Sequence, residues 1–172
     1  MTAISPSTTV SAVKSYRPSI ATNKNNGVLI EWNEGFSVGV TEMDNQHKQL
    51  VKLLNDLYSA MQSKKSSEII GNVLNKLISY TKTHFTSEEE FMKKHSYPGL
   101  ANQIKEHAAF VDKALKFKSD YDAGKTSISV SITSFLKDWL VNHISVSDKK
   151  YGAHVNNRGN INPELVIPLG DF

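Results

Sequence analysis

The chain has 172 residues, 39% of them apolar, and no cysteine, so it can bury a core but offers no disulfide, thiolate zinc site, iron–sulfur cluster or cysteine nucleophile. Its net charge of +3 arises in residues 1–30, which hold Lys14, Arg17 and Lys24 and no acid. The rest is formally neutral, with seventeen basic and seventeen acidic residues, and gives no support to nucleic-acid binding.

Residues 1–27 are rich in Ser, Thr and Asn, contain two prolines and show no sustained period, which reads as a flexible arm. No apolar run approaches the length of a membrane span, and the N-terminus lacks the apolar stretch of a secretory signal. The expected location is cytoplasmic, with organelle targeting by the acid-free N-terminus left open as an alternative. From Val28 to Val40 the chain mixes extended apolar residues with Gly35 and Gly39, as an ordered lead-in packing across a helix end would.

Four helical stretches follow. The first spans about Thr41 to Gln62, with Leu50, Leu53, Leu54, Leu57 and Met61 at steps of three and four, and Asp44 is placed to cap its start. The second spans about Ser67 to His95, through Ile70, Val73, Leu74, Leu77 and Phe91, and ends at Tyr97-Pro98-Gly99, where proline cannot continue it. The third spans about Gly99 to Asp122, through Ile104, Phe110, Ala114 and Phe117, closed by the glycine signal Ala123-Gly124-Lys125. The fourth spans about Ser127 to Gly152, through Ile132, Phe135, Leu136, Trp139 and Leu140. Connections this short make neighbours antiparallel, so the expected fold is all-α: an up-down-up-down four-helix bundle over residues 28–152. Residues 153–172 read as a C-terminal tail whose Leu165, Val166, Ile167 and Leu169 are candidates to dock on the bundle.

The chemistry lies in the histidines. His84 and Glu88 stand four apart on one helix face, continuing the Val73–Leu77–Tyr80 stripe. His47 precedes Leu50, Leu54 and Leu57. His107 falls in line with Leu100, Ile104 and Val111, and His143 extends the Ile132–Leu136–Trp139–Leu140 stripe, with Asp148 five residues later. An antiparallel bundle puts all six groups at one end. Each alone suits a satisfied core residue or a solvated acid. Together, two buried carboxylates ringed by imidazoles are relieved most directly by bound metal, and this donor set suits iron or manganese. His95 and His154 lie outside the constellation and read as surface residues.

These segments resemble the hemerythrin family over about residues 31–151. Trp32 to His47 (WNEGFSVGVTEMDNQH) is similar to its lead-in and D-x-Q-H motif, and His84-Phe85-x-x-Glu88-Glu89 to H-F-x-x-E-E. Tyr97-Pro98 with His107 resembles Y-P-x4-H-x3-H, and Trp139-Leu140-x-x-His143-Ile144-x3-Asp148 resembles W-L-x-x-H-I-x3-D.

The resemblance implies two iron ions bridged by Glu88, Asp148 and a solvent oxygen. His47 and His84 would hold the iron that takes up dioxygen, and His107 and His143 the other. Leu50, Leu54, Phe110 and Trp139 would form a dry pocket beside them. The implied function is dioxygen binding for carriage, storage or sensing, rather than an enzyme's. The alternative is a diiron redox, peroxidase-like or iron- or redox-sensing protein with an altered site. The sequence departs from the family at Gln103, where the first histidine of H-x3-H is expected. Either Gln103 ligates weakly, or water fills its place, or the second iron is lost or loosely held. Nothing in the sequence names a protein partner.

Overall fold

The computed structural model describes residues 28–125 and 129–159. The arm over 1–27 and the apolar C-terminal residues Leu165, Val166, Ile167 and Leu169 lie outside them. Helices α1 (Thr41–Gln62), α2 (Ser67–Lys94), α3 (Leu100–Asp122) and α4 (Ser129–Asn142) follow in order. A π-helical stretch, His143–Asp148, then leads directly into α5, Lys149–Gly159. With α4, the π-stretch and α5 forming one continuous rod, this is an all-α, up-down-up-down four-helix bundle. No helix among the described residues is long and apolar enough to cross a membrane.

Apolar spacing explains which face each helix buries. On α1 the buried residues Met43, His47, Leu50, Val51, Leu54 and Leu57 recur at three and four, and on α2 the inward line runs Leu74, Leu77, Ile78, Thr81, His84, Phe85, Glu88 and Met92. The helices α1 and α2 pack together, as do α2 with α3 and α1 with α4. Phe110 closes the ring by stacking on Phe135 and tilting against Trp139 of α4, at 5.7 and 4.1 Å between ring centroids. On α3 the inner line is Gln103, His107, Phe110 and Ala114, with the expected Leu100 and Val111 partly buried beside it, and Ile104 is the residue that departs from the expectation. Ile104 is 43% exposed, because the helix turns its Gln103–His107 edge to the core and leaves Ile104 on the flank.

The helix ends share one closure. Lys65 N–H reaches back to the Ala60 carbonyl, Tyr97 N–H to Met92 and Lys125 N–H to Asp120. These are the six-to-one bonds of a Schellman motif, with Lys64, Ser96 and Gly124 at positive φ. The last is the glycine stop read from the sequence.

Two expectations change. Asp44 is not the cap of α1, since Val40 holds that position without a side-chain bond. Asp44 sits inside the first turn and reaches back to the lead-in, accepting from Val38 N–H at 2.7 Å and Ser37 Oγ at 2.6 Å. The fourth helical rod does not end at Gly152 but runs to Gly159, so the first seven residues assigned to the tail are helical.

That extension gives the lead-in a second wall. Asn55 pins its start, accepting from Leu29 and Ile30 N–H at 2.9 Å and donating to the Ile30 carbonyl at 2.8 Å. Further along, Lys149 Nζ donates to the Ser37 carbonyl. Beside it the backbone of Val38 lies against Gly152, where an added Cβ would fall 2.2 Å from the Val38 carbonyl oxygen. Helix propensity alone favours alanine there by about 1 kcal/mol. The close approach reverses the sign. Gly152→Ala is expected to destabilise the protein by about 1–3 kcal/mol, read as a lowered denaturant midpoint. An unchanged or raised midpoint would mean the lead-in is not seated on this helix.

Candidate metal centre

Six buried polar side chains meet at the lead-in end of the bundle: His47 from α1, His84 and Glu88 from α2, His107 from α3, and His143 and Asp148 from the π-stretch. All the expected site residues are thus brought together, and Gln103 is buried beside them. The π-stretch explains how residues five apart can share a face. In a regular helix they would point about 140° apart, whereas i→i+5 winding carries Asp148 back under His143.

The imidazole Nε2 atoms converge on the two carboxylates. His47 Nε2 lies 3.5 Å from Glu88 Oε1 and 3.4 Å from Asp148 Oδ2. His84 and His107 Nε2 lie 3.6 and 3.4 Å from Glu88 Oε2, and His143 Nε2 lies 3.2 Å from Asp148 Oδ1. Two triads therefore share Glu88, one with His47 and His84 and the other with His107 and His143, and the side-chain atoms of each are close enough together to hold a metal ion.

The surroundings turn lone pairs toward this centre. His84 Nδ1 faces Gln46 Oε1 at 2.8 Å, His107 Nδ1 faces Glu89 Oε1 at 2.8 Å, and His143 Nδ1 faces Glu106 Oε2 at 3.0 Å. Each acceptor assigns the N–H to Nδ1 and leaves Nε2 basic, as in metal-binding histidines. Glu106 is itself held by Ser147 and Asn102. The ring planes are fixed by stacking, Phe85 on His107 at 3.8 Å and Trp139 on His143 at 4.2 Å. Such an arrangement brings His107 and His143 Nε2 within 3.0 Å, lone pair toward lone pair unless a proton or a cation lies between.

Electrostatics tell the same story. Burial works against a charged His47, but the close approach and charge of Asp148 and Glu88 outweigh it and raise its pKa to about 9. Burial lowers His84 to about 3. Burial also opposes ionised Glu88, yet contacts with His107 and His47 hold its carboxyl well below the usual range. Asp148 is raised, by burial and then by the charge of Glu88. Buried polar atoms remain without hydrogen bonds: both nitrogens of His47, Glu88 Oε2, Asp148 Oδ2 and Gln103 Oε1. Unsatisfied polar atoms at this density are destabilising unless something binds them. Nitrogen and oxygen donors so arranged could hold a metal ion in each triad.

Several participants were not singled out in the sequence. Tyr151, fully buried, donates to Glu88 Oε1 at 2.6 Å, and burial followed by the charge of Glu88 keeps its phenol protonated. Its place three residues after Asp148 was the available signal. Glu89 stood only as the last residue of the His84-Phe85-x-x-Glu88-Glu89 motif, without a role, and Glu106 acts on a histidine from another helix, so local spacing assigned a role to neither. His95 and His154 stand apart from the centre and are half-buried rather than surface residues. His95 Nδ1 lies 2.8 Å from the Phe91 carbonyl, and His154 Nε2 lies 3.3 Å from the His95 carbonyl.

Next to the imidazoles lies a cavity of ≈ 10 Å³ lined by Leu50, Leu54, Leu77, Thr81, Phe85, Phe110, Leu136, Trp139 and Leu140. All four residues expected to form a dry pocket line it. Its size suits one water-sized molecule. The hydroxyl of Thr81, the polar side chain in this wall, is already donated to the Leu77 carbonyl at 2.8 Å.

A carboxyl with a raised folded pKa contributes stability at low pH and loses it as pH rises through that value. In the metal-free protein Asp148→Asn is therefore expected to flatten the loss of stability as pH rises from 4. Urea unfolding of both proteins across that range checks it, and a variant whose stability falls as steeply as the parent's would contradict the assigned strain.

Residues 38–155 match the family model described as the hemerythrin HHE cation binding domain. The chain is 31% identical over 132 residues to a bacteriohemerythrin of Stenotrophomonas maltophilia, an alignment covering 74% of this chain and 85% of the relative. It is 36% identical over 125 residues to the bacteriohemerythrin of Methylococcus capsulatus, covering 72% and 95%, and 36% identical over 121 residues to a myohemerythrin of Theromyzon tessulatum, covering 70% and 89%. A crystal structure of wild-type hemerythrin superposes with a TM-score of 0.69 at 34% identity, covering 74% of this chain and 98% of that one. The chain belongs to the hemerythrin family.

Proposed function

We propose that the chain is a non-haem diiron protein that binds dioxygen, for its carriage, storage or sensing. The observation that supports this most directly is the set of four imidazole Nε2 atoms turned onto two shared, buried carboxylates with unsatisfied oxygens. His47 and His84 would hold one iron and His107 and His143 the other, with Glu88 and Asp148 as their carboxylate ligands. Iron held there in the ferrous state would supply the electrons for reversible dioxygen binding.

The rest of the work falls to the chain. Gln46, Glu89 and Glu106 set the imidazole tautomers, and Phe85 and Trp139 fix the ring planes. Tyr151 keeps its proton and donates a hydrogen bond to the Glu88 oxygen. Leu50, Leu54, Phe110 and Trp139 exclude water from the adjoining cavity, which limits proton-assisted loss of oxidised product. Among the described residues, no nucleophile or base beyond these groups stands at the site to process an organic substrate. A second reading, a redox, peroxidase-like or iron- or redox-sensing centre, draws on Gln103, since a glutamine in place of an imidazole leaves an iron more accessible.

Anaerobic ferrous loading and desalting are expected to leave about two iron ions per chain, and iron at a hundred times its Kd to raise stability by about 2.7 kcal/mol. Glu88→Ala should lose both. Exposure to dioxygen then separates the readings. A visible absorption band that disappears on removing the gas supports carriage or storage. Oxidation within seconds, with no recovery, would replace that reading with redox chemistry.

A further inference from the structure

Gln103 is 3% exposed and its amide is committed on one side only. Its Nε2 donates to Asp148 Oδ1 at 3.1 Å, and its Oε1 is buried with no hydrogen-bond partner. The orientation is enforced by chemistry. Turning the amide over would set a carbonyl oxygen against a carboxylate oxygen, acceptor against acceptor. The nitrogen carries its protons and has no lone pair to offer a metal. The same carboxylate oxygen lies 3.2 Å from His143 Nε2, so the amide stands at the edge of the His107–His143 triad as a brace on Asp148.

That leaves the two triads closely alike: two imidazoles and Glu88 on each side. Sets of two histidines and one carboxylate leave coordination positions open to small ligands. An orphaned buried acceptor beside one such set also needs a donor, and a ligand carrying an O–H or N–H supplies one.

We propose that the His107–His143 side of the centre has an open position for a small exogenous ligand, with Gln103 as the residue that braces Asp148 and accepts a hydrogen bond from a protonated occupant such as water. This inference rests on the diiron reading above, and it adds a second ligand position to the one beside His47 and His84.

The test is an anaerobic titration of the ferrous-loaded full chain with nitric oxide, followed by absorption and infrared spectroscopy, alongside a metal assay and the Gln103→His variant. The result expected is two nitric oxide molecules per iron pair, with two distinct N–O stretching bands, falling to one molecule and one band in Gln103→His at unchanged iron content. One molecule per pair in the parent protein, with both irons present, would overturn the proposal and leave the diiron reading standing. Two molecules in both proteins would also overturn it, because the position would then not depend on residue 103. Fewer than two irons per chain in the parent would overturn the diiron reading itself, and this proposal with it. The parent titration decides the count even if the variant fails to fold.

Discussion

Two carboxylates with no exposure to solvent, Glu88 and Asp148, are the constraint on which the rest of this molecule depends. Removing an ion from water is destabilising by several kcal/mol unless neighbouring charge and hydrogen bonds compensate. Each helical rod of the bundle answers that demand with an imidazole, and Tyr151 adds a phenolic proton. The compensation is incomplete, with polar atoms on three of the six groups lacking hydrogen bonds. A bundle selected for stability alone would fill this end with leucine. This one keeps the charges in the core, a pattern consistent with a site that is completed by what it binds.

Holding such a cluster requires rigidity from outside it. Each outer hydrogen bond crosses between helices: Gln46 of α1 to His84, Glu89 of α2 to His107, Glu106 of α3 to His143. The helices are thereby tied together at the depth where their inward side chains would otherwise repel. His47 is the exception, since its Nδ1 has no such partner. Its ring is held by packing, 4.9 Å from His84, and by the carboxylates of Glu88 and Asp148 facing its Nε2. The lead-in completes the enclosure from above, anchored by Asn55, Asp44 and Lys149 on two helical rods.

Much of this is legible from spacing. Three- and four-residue apolar steps placed α1 with both boundaries correct, and the turn residues around Pro98 and Gly124 marked where the chain reverses. Antiparallel order then put His47, His84, Glu88, His107, His143 and Asp148 at one end, where they are found. Ile104 shows the limit of that reasoning. A lone isoleucine pulled the inferred face of α3 off axis, although Gln103 is the residue turned inward. Asp44 shows another, since a carboxylate near a helix start can serve a neighbouring strand of chain as readily as the helix itself.

Sequence by itself determined the helices, their alternation and the set of inward polar residues, because helical periodicity and chain reversal are local properties. Tertiary structure alone decided which nitrogen of each imidazole faces the centre, because the acceptors that select it come from other helices. It also decided that His143 and Asp148 share a face, through a π-stretch that alters the period mid-rod. And it decided the orientation of the Gln103 amide, which depends on a carboxylate 45 residues away in the chain.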